Sequence, residues 1–275
     1  MRIASVEYEG EQVAVAIEDD RAIPLRGIAE IGANTPLSML RGAELDRGAS
    51  RPLDEVHFRP VVPRPGKVIC VGLNYRAHIE ETGREESDYP VLFTKFATSL
   101  TGAFDPIPLP PESDQVDYEG ELAVVIGERV RRIPTQDAMR AVAGYAVAND
   151  VTVRDYQTKT HQWLQGKAWD ASTPVGPALV TVDEIPDVSA LTLRTTLNGE
   201  TVQEASIALL IFDIPTLVST ISEFATLEPG DVILTGTPSG VGFRREPPLL
   251  LGDDDVVTVE IDGIGRIENA MVVEA

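Results

Sequence analysis

Residues 117–127 read Asp-Tyr-Glu-Gly-Glu-Leu-Ala-Val-Val-Ile-Gly. The second half of this stretch, rich in Val and Ile and closed by a glycine, predicts a buried β-strand. Side chains alternate along a strand, so Glu119 and Glu121 are expected on one face. Two adjacent carboxylates at the start of an apolar strand repel each other and lose hydration, which favours a cation between them. A solvated strand end is the alternative for an isolated Glu-x-Glu.

A second apolar strand also ends in an acid. Residues 143–150 read Ala-Gly-Tyr-Ala-Val-Ala-Asn-Asp, which puts Asp150 at a strand end, where ligand groups often collect in mixed α/β folds. With Glu119 and Glu121 this gives three carboxylates from two strands. Mg²⁺, Mn²⁺ and Ca²⁺ prefer oxygen ligands, and Mg²⁺ is usually held by few carboxylates with room left for water or substrate. The sequence therefore predicts a divalent metal site.

Two pairs of polar residues have helical spacing. His78 and Glu81 are three apart within residues 75–82, which can form one short helix. A carboxylate beside an imidazole fixes its tautomer and raises its basicity, as a general base requires. An ordinary i,i+3 pair on a helix is the alternative. Arg154 and Gln157 have the same spacing and share a face if a helix begins there.

The composition indicates a folded globular protein, with 43% hydrophobic residues among 275 and a net charge of −21. Nucleic acids and anionic membranes need a basic surface, so we expect neither as a partner. The single cysteine, Cys70, rules out an intrachain disulfide and fits a reducing compartment. Residues 1–7 lack an apolar signal core and no apolar run is long enough to span a bilayer, so we expect a cytoplasmic protein.

Four motifs follow one another along the chain: residues 72–78 (Gly-Leu-Asn-Tyr-Arg-Ala-His), the Glu-x-Glu strand, residues 149–157 (Asn-Asp-Val-Thr-Val-Arg-Asp-Tyr-Gln) and residues 235–242 (Thr-Gly-Thr-Pro-Ser-Gly-Val-Gly). Together they resemble the fumarylacetoacetate hydrolase (FAH) family. The resemblance is to its short branch of acylpyruvases, oxaloacetate decarboxylases and 2-hydroxyhepta-2,4-diene-1,7-dioate isomerases. It covers residues 64–275.

The resemblance implies an α+β, mainly β fold, a mixed β-sandwich roll whose subunits pair as homodimers. We expect residues 64–275 to form this FAH-like catalytic domain and residues 1–63 to form a small N-terminal β-rich domain. The boundary falls in a proline-rich segment, residues 60–65. Within the small domain, a Glu-Gly-Glu turn at residues 9–11 predicts a β-hairpin.

The resemblance also implies roles for individual residues. The three carboxylates would bind Mg²⁺, with Mn²⁺ or Ca²⁺ as alternatives. His78 and Glu81 would form a catalytic dyad on a lid, and Lys167 would hold a substrate carboxylate or a developing oxyanion. A solvated surface lysine is the alternative for Lys167, and His161 and Trp163 are interpreted as loop packing. The residues expected against the substrate are Tyr75, Arg154, Gln157 and Thr237.

The predicted reaction is metal-dependent hydrolysis of a C–C bond in a small 2,4-dioxo acid of the acylpyruvate or fumarylpyruvate type. His78, assisted by Glu81, would activate water, while the metal stabilises the enolate that leaves. Oxaloacetate decarboxylation and hydroxyheptadienedioate-type isomerisation use the same site and are the alternatives. The non-enzymatic alternative is a degenerate family member that binds a dicarboxylate, although none of the expected metal or dyad residues is missing.

Overall fold

The structure is a computed structural model and describes residues 1–274. Strands dominate it, because short Val-, Ile- and Ala-rich runs recur between turns that contain glycine or proline. The predicted α+β, mainly β class is confirmed. In chain order the strands are β1 (Arg2–Tyr8), β2 (Glu11–Glu18), β3 (Arg21–Pro24), β4 (Arg51–Pro52), β5 (His57–Phe58), β6 (Val68–Gly72), β7 (Val91–Lys95), β8 (Leu100–Thr101), β9 (Ile107–Leu109), β10 (Val116–Asp117), β11 (Gly120–Ile126), β12 (Val142–Asn149), β13 (Thr152–Val153), β14 (Thr173–Thr181), β15 (Thr192–Leu197), β16 (Glu200–Ser206), β17 (Val232–Leu234), β18 (Val256–Ile261) and β19 (Gly265–Val273).

The helices are short, and their ends follow local signals in the sequence. The longest begins after Asp213, whose carboxylate accepts a hydrogen bond from the Thr216 amide at 2.9 Å. The predicted lid helix ends at Gly83, which has a φ angle of 65°. No helix in residues 1–274 has the length and apolar content needed to cross a membrane. The helices are α1 (Leu37–Gly42), α2 (Arg76–Thr82), α3 (Arg154–Gln157), α4 (Leu164–Lys167) and α5 (Ile214–Phe224).

A large sheet has the strand order β4-β3-β2-β1-β14-β12-β11-β17-β6-β7, with β5 beside β1 and β8 beside β14. The antiparallel neighbours β11 and β12 pair Gly120 with Asn149. This register sets Glu119 beside Asp150, whose amide donates to the Glu119 carbonyl oxygen at 2.8 Å. The two acidic strand ends therefore meet, as a divalent metal site requires.

A five-stranded sheet, β16-β15-β18-β19-β9, packs against one face of the large sheet. Strand β11 contributes to two cores because its side chains alternate: Leu122 and Val124 face the second sheet and α5, whereas Ala123 and Val125 face a core that includes α1 and the N-terminal strands. Cys70, on β6, is buried in this second core.

The N-terminal segment continues the large sheet. Its first hairpin pairs β1 with β2 around Glu9 and Gly10, with φ angles of 50° and 80°, as predicted. Strand β1 also pairs with β14, where Arg2 lies opposite Val180. The strands of residues 1–63 are thus hydrogen-bonded to those that follow, and the division into domains at residue 63 stays a prediction.

Candidate active site

Glu119, Glu121 and Asp150 meet where β11 and β12 come together. Each offers a carboxylate oxygen, and these oxygens all lie within 4.8 Å of one another. All three side chains are buried. Because period-two alternation puts the two glutamates on one face and the β11–β12 register brings the aspartate to them, the predicted triad assembles as a single cluster.

Two buried lysines compensate part of this negative charge. Lys167 Nζ, from α4, donates to Glu119 Oε2 at 2.7 Å and to Asp150 Oδ2 at 2.9 Å. Lys95 Nζ, at the end of β7, lies 2.6 Å from Asp150 Oδ1 in an ion pair without hydrogen-bond geometry. Burial alone would lower the pKa of Lys167, but the carboxylates of Asp150 and Glu119 outweigh it and raise that pKa. Lys167 therefore remains an ammonium inside the cluster.

The two glutamates have opposite electrostatic surroundings. Burial by itself would raise the pKa of Glu119, but its cationic neighbours, Lys167 first, outweigh burial and lower the pKa to about 2. The pKa of Glu121 is raised well above its usual value, by burial first and then by the charges of Asp150 and Glu119. A divalent cation held by the triad would supply the positive charge that Glu121 lacks, so these residues fit a hard metal ion.

Arg154 is a third buried cation beside the triad. Its Nη1 donates to Glu119 Oε1 at 2.6 Å and to Gln157 Oε1 at 3.2 Å, which agrees with the predicted helical spacing. Its Nε and Nη2 donate to Asp117 Oδ2 at 2.8 and 2.7 Å. The sequence analysis gave Asp117 no role, although Asp117 opens the same acidic stretch, two residues before Glu119.

The glycine-rich loop, residues 235–242, holds carboxylates with its backbone amides. Gly236 and Gly240 have φ angles of 104° and 103°, which residues with a side chain rarely adopt. The loop thereby binds three acids, two from residues 117–121 and one from α2, and fixes them around the site. The bonds run from Gly236 N to Glu121 Oε2 (2.8 Å), from Gly240 N to Glu81 Oε1 (2.9 Å) and from Gly242 N to Asp117 Oδ1 (2.8 Å).

His78 and Glu81 form the expected pair on α2. His78 Nδ1 lies 3.1 Å from Glu81 Oε2, and the imidazole is largely buried. Since the other oxygen of Glu81 accepts from the Gly240 amide, the same carboxylate orients the imidazole and ties α2 to the glycine-rich loop. The helix therefore sits closed over the triad.

A narrow cavity of about 60 Å³ lies between α2 and the triad. This space takes several water molecules or one short acid. Asp150 and Tyr75 are buried and do not line this cavity. The Tyr75 hydroxyl has no hydrogen-bond partner within residues 1–274. The Oγ1 of Thr237 accepts from Gln203 Nε2 at 2.8 Å. The predicted site residues that line the cavity are His78, Glu119, Glu121, Arg154, Gln157, Lys167 and Thr237.

Trp163, interpreted from sequence as loop packing, forms part of the cavity wall. Its ring meets Phe93 edge to face, with centroids 5.5 Å apart. It also lies on Gly72, where an added Cβ would come within 2.3 Å of the indole. The wall therefore depends on a glycine at the end of β6, a long-range fit that the sequence does not reveal.

A mainly β sandwich with a buried acidic triad and a His–Glu pair above it defines an enzyme site with a cluster suited to a metal and a candidate base. The chain belongs to the fumarylacetoacetate hydrolase family, since the family model for the fumarylacetoacetate (FAA) hydrolase C-terminal region matches residues 67–272. The predictions of family, fold and enzymatic nature are confirmed. Members of the family depend on a divalent metal, and the triad is suited to hold one.

Known relatives carry several related activities. An oxaloacetate tautomerase from Rattus norvegicus, Fahd2a, is 45% identical over 239 residues, which are 86% of this chain and 76% of the relative. The structure of a 5-carboxymethyl-2-hydroxymuconate delta-isomerase from Mycobacterium smegmatis is 35% identical, covers 100% of both chains and superposes with a TM-score of 0.85. A maleylpyruvate hydrolase from Sphingobium sp. SYK-6, in complex with manganese(II) and pyruvate, is 27% identical, also covers 100% of both chains and has a TM-score of 0.79.

The comparison corrects one prediction. Oxaloacetate tautomerase relatives from rat, cattle and human are named mitochondrial proteins. The expectation of a cytoplasmic protein is therefore wrong. That expectation rested on the absence of an apolar signal core, and mitochondrial targeting segments are amphipathic rather than apolar, so the criterion did not address this compartment.

Proposed function

We propose that this protein is a divalent-metal-dependent tautomerase of a short 2-oxo dicarboxylic acid, with oxaloacetate as the substrate to test first. The observation that carries the proposal is that His78 lines the same narrow cavity as Glu119, Glu121 and Lys167. A candidate base thus shares a space suited to a short acid with a cluster that could hold a cation. The name of the rat relative supports the choice of substrate.

The residues divide the work of a keto–enol interconversion. His78, oriented by Glu81, would take a proton from the carbon next to the ketone and return it in the reverse direction. Lys167 and Arg154 would bind the carboxylate and the oxygen on which charge develops, because both stay cationic in a buried site. A divalent cation at the triad would supply Lewis-acid stabilisation of the enolate. Closure by α2 would keep bulk water from the carbanion.

Mg²⁺ or Mn²⁺ is the proposed metal. An all-carboxylate triad favours hard cations, and the manganese(II) and pyruvate bound by the maleylpyruvate hydrolase relative support a metal next to a 2-oxo acid. The test is the rate at which enol and keto oxaloacetate equilibrate, followed by ultraviolet absorbance with Mg²⁺, with Mn²⁺ and with EDTA. We expect acceleration with either metal and the uncatalysed rate with EDTA.

Hydrolysis of an acylpyruvate is the second candidate. The His78–Glu81 pair can activate water as well as take a proton from carbon, and the hydrolase relative has the same fold. Pyruvate release from acetylpyruvate, fumarylpyruvate and oxaloacetate separates the reactions. Release of pyruvate from a diketo acid would support hydrolysis in place of tautomerisation. Release of pyruvate from oxaloacetate alone would support decarboxylation.

The homodimer implied by the family resemblance also remains a proposal. Large apolar side chains are exposed on the single chain, including Phe96, Phe104 and Leu209. Burial of such groups between two subunits would remove them from water. Light scattering on the purified protein gives the mass directly, and a mass near 29.7 kDa would contradict the dimer.

A further inference from the structure

We propose that Arg84 and Arg244 form a second anion subsite at the mouth of the cavity, which binds the distal carboxylate of a 2-oxo dicarboxylic acid. This inference rests on the proposed function and names the residues that would select a dicarboxylate over a monocarboxylate. Both arginines line the cavity that Glu119 and Glu121 also line, and both are exposed at its entrance.

Each guanidinium is supported by an aromatic ring of the same cavity wall. The Arg84 guanidinium carbon lies 5.2 Å from the centroid of the Trp163 ring, and that of Arg244 lies 5.3 Å from the Phe243 ring. A cation–π contact does not use the N–H groups of a guanidinium, so the N–H groups that make no other hydrogen bond stay available to an anion. The two side chains are thus held at the entrance before any ligand arrives.

The two arginines come from different segments of the chain that meet at the entrance. Arg84 follows the lid helix α2, and Arg244 belongs to the segment after the glycine-rich loop. Arg244 Nη2 donates to the Thr82 carbonyl oxygen at the end of α2, at 3.3 Å. Neither guanidinium forms an ion pair with a carboxylate of residues 1–274, whereas Arg76, on α2, pairs with Glu86 at 3.0 Å. An anion between them would also link the lid to the rest of the site.

The charge at the inner end of the cavity explains why a second subsite is needed. The buried cluster has four carboxylates and three cations, and a bound divalent cation leaves it with one net positive charge. That charge can balance a single substrate carboxylate, so a second carboxylate needs other cations. The members of the cluster are Asp117, Glu119, Glu121 and Asp150 on one side and Lys95, Arg154 and Lys167 on the other.

The test is calorimetric binding of two ligands to the Mn²⁺-loaded protein. Pyruvate has only the inner carboxylate, and 3,3-difluorooxaloacetate adds the distal one and has no proton to lose at C3. For Arg84→Gln and for Arg244→Gln we expect the Kd of difluorooxaloacetate to rise about fivefold, as for loss of one partly exposed charged contact. The Kd of pyruvate should not change. Arg266→Gln, which removes an exposed arginine outside the cavity, is the matched control and should alter neither value.

Three other results would contradict the proposed subsite. Equal weakening of both ligands would mean that the arginines act through the fold or the overall charge. No weakening of difluorooxaloacetate, or a wild-type protein that binds it no better than pyruvate, would exclude distal recognition. The binding measurement needs no turnover, so a wild-type protein that prefers the dicarboxylate but does not tautomerise oxaloacetate would contradict the proposed reaction and leave the subsite standing.

Discussion

Asp117 binds the Arg154 guanidinium through one carboxylate oxygen: its Oδ2 accepts hydrogen bonds from both Nε and Nη2, at 2.8 and 2.7 Å. Both side chains are buried. The remaining nitrogen, Nη1, is thereby directed to Glu119 and Gln157 in the cavity. Asp117 does not line the cavity and is therefore a residue that positions Arg154.

Asp117→Asn should lower both stability and activity. An amide keeps the shape of the side chain but leaves the buried guanidinium without its full counter-charge, and breaking a buried ion pair costs about 3–5 kcal/mol. Denaturant unfolding measures the loss, and the tautomerisation assay should show a fall in kcat.

Asp183→Asn is the control for that variant, because it makes the same substitution in an ion pair with Arg41 whose side chains are 42% and 55% exposed. Exposed pairs contribute no more than about 1 kcal/mol. Equal destabilisation by the two substitutions would contradict the anchoring role of Asp117.

The parts of the site that follow local rules were predictable from the sequence. Period-two alternation placed Glu119 and Glu121 together, and helical spacing placed His78 beside Glu81. Asp150 needed only the inference that two strand ends meet. The family resemblance added Lys167, which spacing alone would have left as a surface residue.

The parts that depend on distant contacts were not predictable. Lys95 reaches Asp150 only because of the order of the strands in the large sheet. Strand β7 pairs with β6, β6 pairs with β17, and β17 pairs with β11. Trp163 became part of the wall because it packs on Gly72, far away in the sequence. Tertiary contacts of this kind leave no periodic pattern, since each side chain fits a surface supplied by another segment.

Lys95→Met should make stability more dependent on metal. Lys95 and Asp150 are both fully buried, so removal of the ammonium leaves a poorly compensated carboxylate and should cost about 3–5 kcal/mol without metal. A divalent cation can replace the missing charge, so its binding free energy adds more to stability in the variant. Thermal unfolding with EDTA and with MnCl2 checks this. A Mn²⁺-induced shift in Tm no larger than that of the wild type would refute it.

Glu121→Gln should abolish metal binding without lowering the stability of the metal-free protein. In the metal-free protein the raised pKa of Glu121 means that its ionised form is disfavoured by folding, so stability declines as pH rises above the pKa of the unfolded chain. An amide removes that cost, and we expect a metal-free Tm at neutral pH equal to or above that of the wild type. Loss of a ligand should abolish the Mn²⁺-induced increase in Tm. A variant that still gains stability from Mn²⁺ would argue against Glu121 as a ligand.

His78→Gln should remove the base and leave the metal site intact. General base catalysis contributes about 10²–10⁴-fold, so kcat should fall in that range while the Kd for Mn²⁺ stays the same. Glu80→Gln, on the exposed side of the same helix, is the control and should retain full activity. Weaker Mn²⁺ binding in His78→Gln, or an equal loss of activity in both variants, would assign the effect to the helix rather than to the imidazole.

Gly120→Ala should destabilise the fold through the contact between the two sheets. A Cβ at this position would lie 2.2 Å from Thr195 Oγ1 and 3.0 Å from Val259 Cγ1, so the second sheet would have to move away from β11. Overpacking of this kind costs about 1–3 kcal/mol. Because Gly120 separates Glu119 from Glu121, the same shift should also weaken Mn²⁺ binding.

The control for Gly120 is Gly42→Ala, at the end of α1, where an added Cβ meets nothing within 4 Å. Alanine is the better helix former, so this variant should be neutral or slightly more stable. Urea unfolding compares the two, and Mn²⁺ titration tests the link to the triad. A Gly120→Ala protein that is as stable as Gly42→Ala but binds Mn²⁺ weakly would mean that the strand yields locally while the sheets stay in place.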